Sequence, residues 1–202
     1  MKDFKDYINW ILHNTWSILL SYFASIIVLL LIHGSFGFTM KDDGTYFSNS
    51  LMHICSGSVL ALGTGILQRE FLKKYIYVSY LWVLSLIAGF VLAELIAGYV
   101  LWKLEIYRGL INIFNTSNHL PEASIFAFAG LISGILQFRL LRPYYKKAIY
   151  WIVTSMLGWS FLILSTYPGL FAFIIGAILY GVITGFAFYR IMELKTTREN
   201  LN

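Results

Sequence analysis

Six long apolar runs, nearly free of charge and separated by short charged segments, constrain this chain more than any other feature. They cover approximately residues 16–32, 51–67, 76–99, 123–136, 148–164 and 169–189. A bilayer core of about 30 Å is crossed by roughly 20 apolar helical residues, so each run is a candidate span. The run at 123–136 is short, yet it follows Pro121 and Glu122, a favourable first helical turn, and ends in a basic cluster. Only 12% of the 202 residues are charged, about half the share of a soluble domain. The expected fold is an all-α integral membrane protein: a bundle of about six transmembrane helices forming a single domain over residues 1–202.

Ahead of the first run, Phe4, Tyr7, Ile8, Ile11 and Leu12 recur with helical period, while Lys2, Asp3, Lys5, Asp6 and Asn9 take the other side. This pattern predicts an interfacial amphipathic helix over residues 1–14, or alternatively an extension of the first span into the headgroups. The first run is too long for the apolar region of a signal peptide, and no small-residue cleavage pattern follows it, so a retained span is expected.

Lys and Arg set the orientation. Lys2 and Lys5, then Arg69, Lys73 and Lys74, then Arg139, Arg142, Lys146 and Lys147, and finally Arg190, Lys195 and Arg198 fall on one side of a six-span arrangement. Lys41, Lys103 and Arg108 fall on the other, a split of 12 to 3. The positive-inside rule makes the first side cytoplasmic, with both termini there and the chain multi-pass in the cell (inner) membrane. The net charge of +5 is explained by these clusters, and no nucleic-acid partner is implied. The expected partner is the lipid bilayer, with a second copy, a membrane protein or a soluble protein also compatible with the loops.

An internal repeat runs through the chain. Residues 65–89 align without gaps on residues 134–158 at an offset of 69, matching Gly65, Gln68, Lys73, Tyr75, Trp82 and Gly89 to Gly134, Gln137, Arg142, Tyr144, Trp151 and Gly158. A shorter signature, small-x-x-hydroxyl-Gly, occurs three times: Ala61 to Gly65, Gly130 to Gly134 and Gly181 to Gly185. Small residues four apart let a neighbouring backbone approach closely, and Ser or Thr can bond across, which makes these glycines helix-packing candidates. Three like-oriented helical hairpins are one reading, and three independent packing stripes the other.

The segments Gly130-x-x-x-Gly134-x-x-Gln137-x-x-x-Leu141-Arg142, Tyr150-Trp151-Ile152-x-x-Ser155-x-x-Gly158-Trp159 and Gly181-x-x-Thr184-Gly185 resemble a group of uncharacterised bacterial multi-pass membrane proteins. The resemblance covers the last third of the chain and implies a fold without a chemistry. In size and six-span layout the chain is also similar to the substrate-binding components of energy-coupling-factor vitamin transporters, although it carries no motif of theirs.

Hydrolytic and phosphate-binding motifs are absent from the sequence, so no enzyme activity and no cofactor are expected. The nearest approach to a nucleophile site is His53 with Ser56 at i, i+3, for which a polar helix start is the ordinary explanation. The single cysteine, Cys55, excludes an intramolecular disulfide. The titratable residues are more informative. His33, His53, Glu94, His119 and Glu122 all belong to the outer half. A carboxylate inside a span costs on the order of 2.5 to 3.5 kcal/mol, which makes Glu94 a site candidate. One reading is a pocket for a solute or ion open to the outside; the other is side chains reaching for the headgroups. No His or carboxylate pair has the i, i+4 spacing of a metal site, and no metal is expected. The segment 101–120, mixing Leu110, Ile111 and Phe114 with Asn115 and Asn118, is either a lid on the membrane or a plain connection. Transport of a small solute or ion is the first function these features suggest. The second is an accessory or effector subunit, an anchor or pore-former, receiving a soluble partner on its basic cytoplasmic loops.

Overall fold

A chain this apolar satisfies its peptide groups within helices when no water can do so, and every regular element among the described residues is helical. The computed structural model describes residues 4–36, 46–98, 119–162 and 170–199, with side chains placed over 4–32, 54–96, 124–162 and 171–191. The helices are α1 (Phe4–Phe36), α2 (Tyr46–Leu72), α3 (Leu81–Ala93), α4 (His119–Leu141), α5 (Tyr150–Phe161) and α6 (Leu170–Glu199). A five-residue π turn, Glu94–Gly98, continues α3. Among the described residues, three helices contain stretches long and apolar enough to cross a membrane, Phe4–Ile32, Ser124–Leu141 and Phe171–Ile191; Leu81–Ile96 is apolar but shorter.

The apolar run at 76–99 is not helical from its start: helix begins only at Leu81. Residues 73–80 form turns after α2, in which Tyr75 N–H and Ile76 N–H both donate to Leu72 O. The cause is packing: Ile76 and Val78 are drawn into the core, and Arg69 Nε donates to Val78 O at 3.1 Å. At the corresponding end of α4, Pro143 disfavours helical geometry at Arg142, and the helix stops at Leu141.

The N-terminal segment is not a separate interfacial helix. Residues 4–36 form one unbroken helix, and its apolar stripe divides: Tyr7 and Ile11 turn with Trp10 toward α6, where a Cβ built at Gly185 would meet Trp10 and Tyr7 and one at Gly181 would meet Ile11 O at 3.0 Å, while Phe4, Ile8 and Leu12 stay exposed. α6 thus covers only the Tyr7 and Ile11 edge of the stripe, and the outward Phe4, Ile8 and Leu12 are left to the surroundings.

Each helix packs on its neighbours in sequence, and α1 closes on α6, giving a ring in the order α1, α2, α3, α4, α5, α6. Two layers of core fill it. The layer beside the basic loops contains Trp10, Phe71, Trp82, Trp151 and Phe188. The other contains Leu60, Phe90, Trp159, Phe173 and Tyr180. Large apolar side chains also stand outward, among them Leu30, Leu84, Ile175 and Phe171, the last 84% exposed. Outward apolar surface on this scale marks contact with lipid or another protein.

Helix approach is closest where side chains are missing. A Cβ at Gly130 would lie 2.5 Å from Ser155 O, and one at Gly89 would lie 2.7 Å from Ala129 O. These backbones leave no room for a side chain. Gly134 faces Ile152 Cα at 3.1 Å and Gly65 faces Val83 Cα at 3.1 Å, measured from the same imagined Cβ.

Candidate functional site

Three features of the ring carry chemistry. The first is Glu94, which is 6% exposed although it interrupts an apolar helix. Its backbone N–H still donates to Phe90 O and Val91 O, and from this residue the helix widens into the π turn, which packs against α2 and α4. A π turn displaces the hydrogen-bonding register by one residue, and such turns concentrate at functional sites. Ala93 beside Glu94 is fully buried. The carboxylate therefore lies on the interior side of α3.

The four other residues suggested by the sequence as companions of Glu94 are His33 in α1, His53 in α2, and His119 and Glu122 in α4. Their side chains lie outside the described residues, as does the segment 99–118 that holds most of the lid candidate. Among the described residues no group of three or more His, Cys, Asp or Glu could hold a metal ion.

The second feature is a buried polar network on the ring axis, which the sequence reading did not assemble as a site. Gln68 Nε2 donates to Asn14 Oδ1 at 2.7 Å and to Tyr180 OH at 2.8 Å, while its Oε1 accepts from Trp82 Nε1 at 3.2 Å. One amide thus ties together α1, α2, α3 and α6. Asn14 in turn donates to Trp10 O at 2.9 Å, and Trp10 Nε1 donates to Thr184 Oγ1 at 3.2 Å. On α4, Gln137 Oε1 accepts from Trp151 Nε1 at 2.7 Å.

The two Gln–Trp bonds each join residues 14 apart. They are also related to each other by the 69-residue offset of the sequence repeat. They differ in one respect. Both protons of the Gln68 amide have acceptors, whereas Gln137 Nε2 has none among the described residues. The short bond from Trp151 fixes the orientation of the Gln137 amide, because only its oxygen can accept. Thr64 Oγ1 and Trp159 Nε1 are likewise buried without partners among the described residues.

Around the network the aromatic rings are in contact. Trp10 stacks on Phe188 at 4.6 Å between centroids, and Trp151 lies 5.4 Å from Trp82 and 6.1 Å from Trp10. Tyr180 meets Trp159 at 5.3 Å. Rings at these separations fill the axis with side chains.

The third feature is the basic end. Arg69 Nη1 pairs with Glu70 at 2.8 Å, and the guanidinium lies 3.8 Å over the Tyr80 ring. Lys73 Nζ pairs with the same Glu70 oxygen at 2.7 Å, and this hydrogen bond holds the Glu70 carboxyl below its ordinary value. Arg142, Lys146 and Lys147 are exposed. Burial raises two tyrosines here: Tyr145 to about 12, and Tyr75, with a further contribution from Asp6, also to about 12.

Comparison of the chain with protein-family models, with curated proteins and with solved structures gives no match.

The signal that could have found the axial network was present in the sequence. Gln68 and Gln137 each precede a tryptophan by 14 residues, and amides inside apolar spans seek partners. Nothing local indicated Asn14 or Tyr180, which lie 54 and 112 residues from Gln68.

Proposed function

We propose that the chain is a polytopic, non-enzymatic membrane protein that binds a small solute or ion at Glu94 in its outer half and carries it across the bilayer. In this reading six helices span, both termini are cytoplasmic and the basic loops lie inside, an orientation supported by the 12 to 3 charge split. The observation that carries the reading is Glu94 itself, a buried carboxylate at the junction between α-helix and π turn in an otherwise apolar element. A carboxylate is retained in such a place at a cost of a few kcal/mol, and ligand or proton handling is the usual return.

The arrangement is read as three hairpins of like orientation, α2–α3, α4–α5 and α6–α1. Support comes from the two equivalent Gln–Trp bonds; in the third copy Phe188 stands at the Gln position, and Trp10 stacks on it while donating to Thr184 one turn earlier. In this scheme the first helix of the chain completes the last hairpin.

Glu94→Gln tests the reading. In vesicles containing the purified chain, imposed gradients of protons or sodium are expected to relax faster than in empty vesicles, and Glu94→Gln is expected to abolish the difference while keeping its helical circular dichroism. Equal relaxation for the wild type and the variant would remove Glu94 from the mechanism. A second reading, an accessory or anchoring subunit with a soluble partner on its loops, is favoured by one observation: the axis beside the basic loops is packed with Trp10, Trp82, Trp151 and Phe188.

A further inference from the structure

Between the turn after α2 and the end of α4 lies a cleft of about 250 Å³, lined among others by Ser79, Trp82, Arg139, Pro143 and Tyr144. A second, more open hollow of about 450 Å³ adjoins it across Ile76, Tyr77 and Val78, with Arg69, Lys73 and Lys74 on its far side. We propose that the first cleft is a binding site for an anionic phospholipid of the cytoplasmic leaflet, with the lipid phosphate on Arg139 and the acyl chains along α3 and α4. The proposal rests on the membrane orientation given above.

Arg139 distinguishes this cleft from the rest of the basic end. Arg69 is committed to Val78 O, Glu70 and the Tyr80 ring. Arg139 is exposed and has no ion pair among the described residues, so its planar donor fork is open to a phosphate. Ser79 stands at the same cleft. Its Oγ accepts from Leu81 N–H at 3.3 Å, which leaves its hydroxyl proton to donate, and the first turn of α3 adds partial positive charge.

The shape favours an amphiphile over a free anion. Trp82, Ile76 and Val78 make the cleft floor apolar and are themselves buried. Ile135, one turn before Arg139 on the same helix face, points outward, as do Leu81 and Leu84 on α3. A headgroup at Arg139 would thus continue into chains over an apolar surface. Tyr77, 81% exposed, and Tyr144 flank the mouth at the level where aromatic residues meet lipid headgroups. Basic pockets at the cytoplasmic ends of membrane helices are suited to this class of lipid.

The test uses the full chain purified in a neutral detergent, titrated with phosphatidylglycerol, phosphatidylcholine or inorganic phosphate, with thermal unfolding and native mass spectra as readouts. Phosphatidylglycerol is expected to raise the melting temperature and to remain bound in the spectrum, and phosphatidylcholine to do neither. Arg139→Gln should weaken phosphatidylglycerol about fivefold, as expected for one basic residue at a lipid surface. Lys147→Gln, outside the cleft lining, should change it less than about twofold on the same scale. Because Arg139 is exposed, its variant should melt normally without lipid. Equal effects of the two lipids, equal effects of the two substitutions, or an equal shift with inorganic phosphate alone would each overturn the proposal. If the orientation is wrong instead, the chain will stay dispersed after detergent removal, or the loop at Lys146 will be labelled from outside the cell.

Discussion

Replacing Gln68 with Leu keeps most of the side-chain volume at the ring axis and deletes three hydrogen bonds, to Asn14, to Tyr180 and from Trp82. Interhelical hydrogen bonds within membranes average about 0.6 kcal/mol by double-mutant cycles, so three amount to roughly 2 kcal/mol. Leaving Trp82 Nε1 and Asn14 Oδ1 buried without partners raises the loss, since an orphaned group costs about 1–3 kcal/mol. Gln137→Leu makes the contrast. It removes one bond and orphans Trp151 Nε1, but it also removes an amide nitrogen that has no acceptor among the described residues; the two orphan costs offset, so the net cost should be about 1 kcal/mol or less. The assay is reversible unfolding of the purified chain in mixed micelles with a denaturing detergent, followed by tryptophan fluorescence. Gln68→Leu is expected to unfold at clearly lower denaturant than Gln137→Leu. Equal destabilisation by the two would refute the argument, because it would mean that the number of satisfied bonds does not set the cost.

Gly130→Leu should abolish folded protein in detergent or destabilise it by about 3 kcal/mol, since its side chain would meet the α5 backbone at Ser155 and Met156; size-exclusion profiles and thermal melts check this. Stability should fall between about pH 10 and pH 12, because an unfolded tyrosine loses its proton near 10 while Tyr145 and Tyr75 hold theirs to about 12; the unfolded state then binds fewer protons. Tyr145→Phe should reduce that fall in pH-dependent melts, and at neutral pH it should cost nothing, because the hydroxyl it removes is buried without a partner among the described residues.

The helical class was legible because apolar runs near 20 residues long leave a chain few other folds. The ends of the helices were less so. Residues 76–80 read as part of an apolar span, and only the burial of Ile76 and Val78 against the far side of the core explains why they turn instead. In the N-terminal segment the stripe of Phe4, Tyr7, Ile8, Ile11 and Leu12 was visible, but a stripe does not say that α6 takes Tyr7 and Ile11 while Phe4, Ile8 and Leu12 stay outward. Glu94 was conspicuous as a carboxylate in an apolar run, whereas its π turn was not, since the width of a helical turn depends on how neighbouring helices pack. The Gln–Trp spacing was repeated in plain view, yet the links of Gln68 to Asn14 and Tyr180 exist only once the ring closes.

Cysteine accessibility decides whether this chain crosses a membrane repeatedly with its basic loops inside, as proposed above. Cys55 is the one native cysteine, so a Cys55→Ala background carries a single new thiol at each position in turn. Lys73→Cys and Lys146→Cys are expected to react with a membrane-impermeant maleimide only after the cells are opened, and Lys103→Cys to react in intact cells. Labelling of Lys73→Cys or Lys146→Cys in intact cells, or protection of Lys103→Cys there, would contradict it.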